Sequence, residues 1–91
     1  MSTIGFRAAK MLGVKPKELV NIMNNQAIRR GHSTPWLKPN GALTDVGKGI
    51  YQNEKNSFGA KNLKEYLSAI ANYSKTHKLD EPFNKLLDVN I

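Results

Sequence analysis

Thr3-Ile4-Gly5-Phe6-Arg7-Ala8-Ala9-Lys10-Met11-Leu12-Gly13-Val14-Lys15-Pro16-Lys17-Glu18-Leu19-Val20-Asn21-Ile22-Met23-Asn24-Asn25-Gln26 reads as two short helices bent about Gly13. Ala9 precedes the glycine by four places, and apolar Leu19 and Ile22 follow it by six and nine. That spacing matches a DNA-binding helix-turn-helix. Two helices crossing steeply over a short turn need a small side chain where they meet and a residue tolerant of positive φ at the corner. Leu19 and Ile22 then anchor the second helix. Its other face presents Lys17, Asn21 and Asn24 as one polar stripe, with Asn25 beside it, carrying donors and acceptors suited to base edges in a major groove.

Local signals support this division. Thr3 caps the first helix, on which Ile4, Ala8, Met11 and Leu12 share one face while Arg7 and Lys10 point elsewhere. Gly5 weakens that helix, and Gly13 ends it. Pro16 suits the first turn of the second helix, but Lys15 before it supplies no capping oxygen. The free N–H groups there are open either to water or to a phosphate held beside Lys15 and Lys17.

The chain has 91 residues, which predicts one domain, 1–91. It has no cysteine, which excludes disulfide scaffolds, thiolate metal sites and cysteine nucleophiles. No apolar run approaches the roughly 20 residues of a membrane span, and the start lacks a signal-peptide layout, so a soluble cytoplasmic protein is expected. The formal net charge is +7. Residues 1–40 hold seven basic residues against one acid, whereas residues 41–91 hold seven lysines against six acids. The excess favours a polyanionic partner, against the plainer reading that it serves solubility alone.

Asn24-Asn25-Gln26 reads as a fraying helix end. Segments around Ile28 and around Trp36-Leu37 flank a Gly/His/Ser/Thr/Pro turn, which predicts a β-hairpin wing. Its tip would carry Arg29, Arg30 and His32, with Lys38 beyond, all within reach of phosphates. Trp36 is read either as an anchor holding the wing to the helices or as a surface for stacking. Asn40-Gly41 is a turn. Leu43 to Tyr51 reads as a short helix capped by Thr44, with Val46 and Ile50 inward and two glycines that permit close backbone approach. Gln52 to Ser57 reads as a loop or helix end. Leu63, Tyr66, Leu67, Ile70 and Tyr73 mark a helix ending near Thr76-His77. Asp80 caps a last helix that carries Phe83, Leu86, Leu87 and Ile91. The expected fold is mainly α: a winged helix-turn-helix over residues 3–51 and a C-terminal helical hairpin over 57–91, packing as core or pairing two copies of the chain.

Residues 3–51 resemble the DNA-binding domain at the C-terminus of phage antirepressors, the KilA-C type. The resemblance rests on three blocks, Ala8-Ala9-Lys10-Met11-Leu12-Gly13-Val14-Lys15-Pro16-Lys17-Glu18-Leu19, Ile28-Arg29-Arg30-Gly31 and Leu43-Thr44-Asp45-Val46-Gly47-Lys48. It implies a small phage or prophage regulator that binds DNA, and the helices from Phe58 onward have no counterpart in it.

The residues themselves point away from an enzyme. His32 and His77 lie in different segments with no acid or nucleophile at motif spacing, and there is no phosphate loop or zinc pattern. No cofactor, metal, membrane or small-molecule substrate is expected. The expected function is sequence-selective binding of double-stranded DNA. Lys17, Asn21, Asn24 and Asn25 would read bases, while Arg7, Lys10, Lys15, Arg29, Arg30, His32 and Lys38 would contact phosphates. The alternative is an adaptor or inhibitor that grips an acidic host or phage protein through the same basic surface.

Overall fold

The computed structural model describes residues 3–79 and 83–85. Four helices follow in order: α1 (Ile4–Leu12), α2 (Pro16–Arg29), α3 (Asp45–Phe58) and α4 (Leu63–Thr76). Residues 83–85 are also helical. The mainly α expectation therefore holds.

The first two helices begin and end where their local chemistry places them. The Thr3 hydroxyl accepts from the Phe6 N–H at 3.2 Å. Gly13 closes α1 in the left-handed region at φ 69°, its N–H donating to the Ala9 carbonyl. Pro16 opens α2, and Lys15 gives it no side-chain cap. Ala8, Ala9 and Leu12 of α1 meet Leu19, Val20 and Met23 of α2 in the core.

Gly5 has a packing role as well as a propensity cost. Its N–H donates to the Gly41 carbonyl at 2.8 Å, satisfying a donor that the first turn of α1 leaves open. A Cβ on Gly5 would lie 2.7 Å from that oxygen and 2.8 Å from the Gly41 Cα. Gly5→Ala is therefore expected to lose about 1–3 kcal/mol through overpacking, where an open helical site would gain roughly 1 kcal/mol from the same change. Thermal unfolding of the variant reads the sign.

Three expectations need correction. The β-hairpin wing is absent: among the described residues the only extended pairing is an isolated antiparallel bridge between Leu37 and Leu43. Its first strand has been taken up by α2, which runs through Asn24-Asn25-Gln26 and Ile28 to Arg29. Pro35 and Pro39 further deprive the returning segment of ladder donors. The helix after Thr44 extends to Phe58 and includes Gln52–Ser57, the stretch expected as a loop or helix end. Met11 and Val46, expected to face inward, are exposed.

Thr44 does cap α3, accepting from the Gly47 N–H at 2.9 Å. Gly47 lies directly against the Trp36 carbonyl, the close approach anticipated for this glycine-containing helix. Trp36 is fully buried as an anchor, stacked on Tyr66 with centroids 5.9 Å apart and meeting Tyr51 edge-on. Leu63, Tyr66, Leu67 and Ile70 of α4 enter the same core as α1 and α2, so the stripe of α4 is occupied within the chain. Phe83 joins that core. Asp80, Glu81, Pro82, Leu86, Leu87 and Ile91 lie outside the described residues.

Candidate nucleic-acid interface

With α2 running to Arg29, its surface is set by which residues the core takes. Leu19, Val20, Met23, Gln26 and Ala27 are buried, and the Gln26 amide donates to the Ser74 hydroxyl of α4 at 2.5 Å. This fixes the rotation of the helix. Lys17, Asn21, Asn25 and Arg29, each four residues from the last, remain exposed as one slanted row, with Glu18 and Ile28 beside it. Lys10 and Lys15 near the start of α2, Arg7 of α1 and Lys38 on the turn before Gly41 are also exposed. None of these cations has an ion-pair partner among the described residues.

Three expected site residues, Asn24, Arg30 and His32, are placed differently. Asn24 is turned from the exposed row toward the loop after α2. Its Oδ1 accepts from the Trp36 N–H at 2.9 Å and the Leu37 N–H at 2.8 Å, while its Nδ2 donates to the Leu37 carbonyl at 3.2 Å. Every atom suited to reading a base is engaged in holding Trp36 in the core. Arg30 is not at an exposed tip: its side chain is 2% exposed and forms a bidentate pair with Glu54 of α3, Nε at 2.9 Å and Nη2 at 2.8 Å.

His32 turns to the same carboxylate, its Nε2 lying 3.3 Å from Glu54 Oε2. The Tyr66 hydroxyl donates to Glu54 Oε1 at 2.6 Å, closing a cluster that ties the loop after α2 to α3 and α4. Sequence reading missed this cluster because Arg30 and Glu54 are 24 residues apart and Glu54 falls in a stretch expected as a loop or helix end. No local pattern marks such a pair.

Burial acts to raise the Glu54 pKa, but the hydrogen bonds from Arg30 and Tyr66, the Arg30 charge and the contact with His32 together hold it below the usual carboxylate range. Burial pushes the Tyr66 hydroxyl far up, keeping it a neutral donor. Burial also raises Tyr51, against the charge of Arg7. A folded-state pKa below the unfolded value means that Glu54 contributes stability at every pH above the unfolded value. That contribution is lost as pH falls through the folded one. Wild-type protein is therefore expected to lose stability below about pH 4 more steeply than Glu54→Gln, as read by urea unfolding across pH.

Among the described residues, no group of three or more His, Asp or Glu side chains is placed to hold a metal ion. No described helix is long and apolar enough to cross a membrane. Compared with protein families, curated proteins and solved structures, the chain matches none.

Proposed function

We propose that α1 and α2 act as a helix-turn-helix that binds double-stranded DNA sequence-selectively, in the manner of a small transcriptional regulator. The observation that carries this reading is the exposed row Lys17, Asn21, Asn25 and Arg29 on α2, continued by Lys15, Lys10 and Arg7 at the corner with α1. A 14-residue helix is roughly 21 Å long, a length that fits a major groove. Asn21 and Asn25 each offer the paired acceptor and donor that match adenine, and the flanking cations suit phosphates on either side. The uncapped N–H groups at the start of α2, between Lys15 and Lys17, suit one further phosphate.

Loss of the wing changes the division of labour. Arg30 and His32 belong to the Glu54 cluster, and Asn24 to the Trp36 anchor, which leaves Arg29 and Lys38 as the phosphate contacts from beyond the middle of α2. Selection of bound fragments from a random duplex pool, followed by mobility shifts across salt, tests the reading. Asn21→Ala is expected to relax preference at one base position by about 1–3 kcal/mol. Lys15→Ala is expected to weaken all sequences alike and flatten the logarithmic salt dependence by about one unit. Binding indifferent to salt, or an Asn21→Ala variant that weakens every sequence equally and leaves selectivity unchanged, would overturn it.

A further inference from the structure

The α1 residues that the core leaves exposed are Phe6, Arg7, Lys10 and Met11. Phe6 is 48% exposed and Met11 43%, so this free face carries two large apolar side chains at its edges with two cations between them. Phe6, Ala9 and Lys10, with Val14 and Pro16 at the turn into α2, line an open cleft of about 290 Å³. Four of those five residues are apolar, so the cleft wants an apolar side chain. The charge around it is one-sided: Arg7, Lys10, Lys15 and Lys17 stand against Glu18 alone, and none of the four cations has an ion-pair partner among the described residues.

These two properties together define the occupant. A nucleic acid brings negative charge, but a cleft walled by Phe6, Ala9, Val14 and Pro16 offers only the Lys10 ammonium to a base edge. An amphipathic peptide with acidic flanks supplies both an apolar anchor and the complementary charge. We infer that this cleft is a docking site for an acidic amphipathic segment of a partner protein, with a leucine, methionine or aromatic anchor against Phe6 and Pro16 and carboxylates on Arg7, Lys10 and Lys15. The site is separate from the Asn21 and Asn25 row of α2 and does not rest on DNA binding. Lys10 and Lys15 border both surfaces, so peptide and DNA compete for them.

The test is a selection of short random peptides displayed against the full chain, with binding of the enriched peptides measured by fluorescence anisotropy. Enriched sequences are expected to share a large apolar residue with Asp or Glu three or four places away. Phe6→Asp and Lys10→Glu are each expected to weaken them by about tenfold or more. Both variants should stay folded, since Phe6 and Lys10 are exposed; the new carboxylate suits the helix dipole in the first turn of α1 at Phe6 and opposes it in the last turn at Lys10, at a cost of no more than about 1 kcal/mol. Asn21→Ala should leave peptide binding unchanged, which separates this site from the DNA row. Failure to enrich any acidic-apolar peptide, or equal binding to Phe6→Asp, overturns the inference. So does capture of a single-stranded oligonucleotide that Phe6→Asp abolishes, which would give the cleft to nucleic acid.

Discussion

Glu54→Ala is expected to cost up to about 3–5 kcal/mol of folding stability, because it breaks a part-buried ion pair and leaves the buried Arg30 guanidinium behind. Arg30, with its side chain 2% exposed, would keep only its 3.2 Å contact to the Tyr66 hydroxyl. Its Nη1 already has no hydrogen-bond partner among the described residues, so the guanidinium has no alternative acceptor to turn to. The Tyr66 hydroxyl would lose its 2.6 Å acceptor at the same time. Domains of this size commonly hold about 5–15 kcal/mol in total, so the variant should sit close to its unfolding threshold in mild urea.

The same reasoning gives a control. Removing both charges with packed apolar residues, Arg30→Met together with Glu54→Leu, should be less damaging than Glu54→Ala alone, because no uncompensated charge remains. If the double variant were no more stable than Glu54→Ala, the cost would lie in lost packing of the loop on α3. The cycle of singles and double in urea unfolding separates the two explanations.

The parts of the fold legible in the sequence are those set by neighbours along the chain. Thr3, Gly13 and Pro16 fix the limits of α1 and the start of α2 through capping and φ preference, and the step of three and four residues in α4 declares its buried face. The far end of α2 and the length of α3 are set by partners distant in sequence. Gln26 reaches Ser74 across 48 positions and Arg30 reaches Glu54 across 24. α3 carries two glycines and two asparagines, a weak helix by propensity, and is held by the Thr44 cap, the seat of Gly47 on Trp36 and the Glu54 cluster. The exposed row of α2 was legible in part. Lys17 and Asn21 follow from helical period, but the same period set Asn24 in the stripe with Asn25 beside it, and the rotation that turns Asn24 inward depends on the loop at Trp36, which no local pattern shows.

That loop gives the second large effect. Asn24→Ala is expected to destabilise the chain by about 3 kcal/mol or more, as three buried backbone groups are each left unsatisfied at about 1–3 kcal/mol. The Trp36 and Leu37 N–H groups and the Leu37 carbonyl meet the Asn24 side chain, and no other hydrogen bond to them is found among the described residues. Both loop residues are buried, so water reaches the freed groups only from the partly exposed side on which Asn24 stood. Asn21→Ala, one turn earlier on the exposed row, should change stability by no more than about 0.5 kcal/mol. The pair therefore separates a structural asparagine from a DNA-reading one on a single helix. Hydrogen exchange gives the local readout: the Trp36 and Leu37 amides should be protected in wild type and in Asn21→Ala, and exchange faster in Asn24→Ala. If Asn24→Ala instead left those amides protected and the urea midpoint unchanged, Asn24 would return to the candidate base-reading residues, and the anchor for Trp36 would have to lie in the Thr44 contacts to the Pro35 and Trp36 carbonyls.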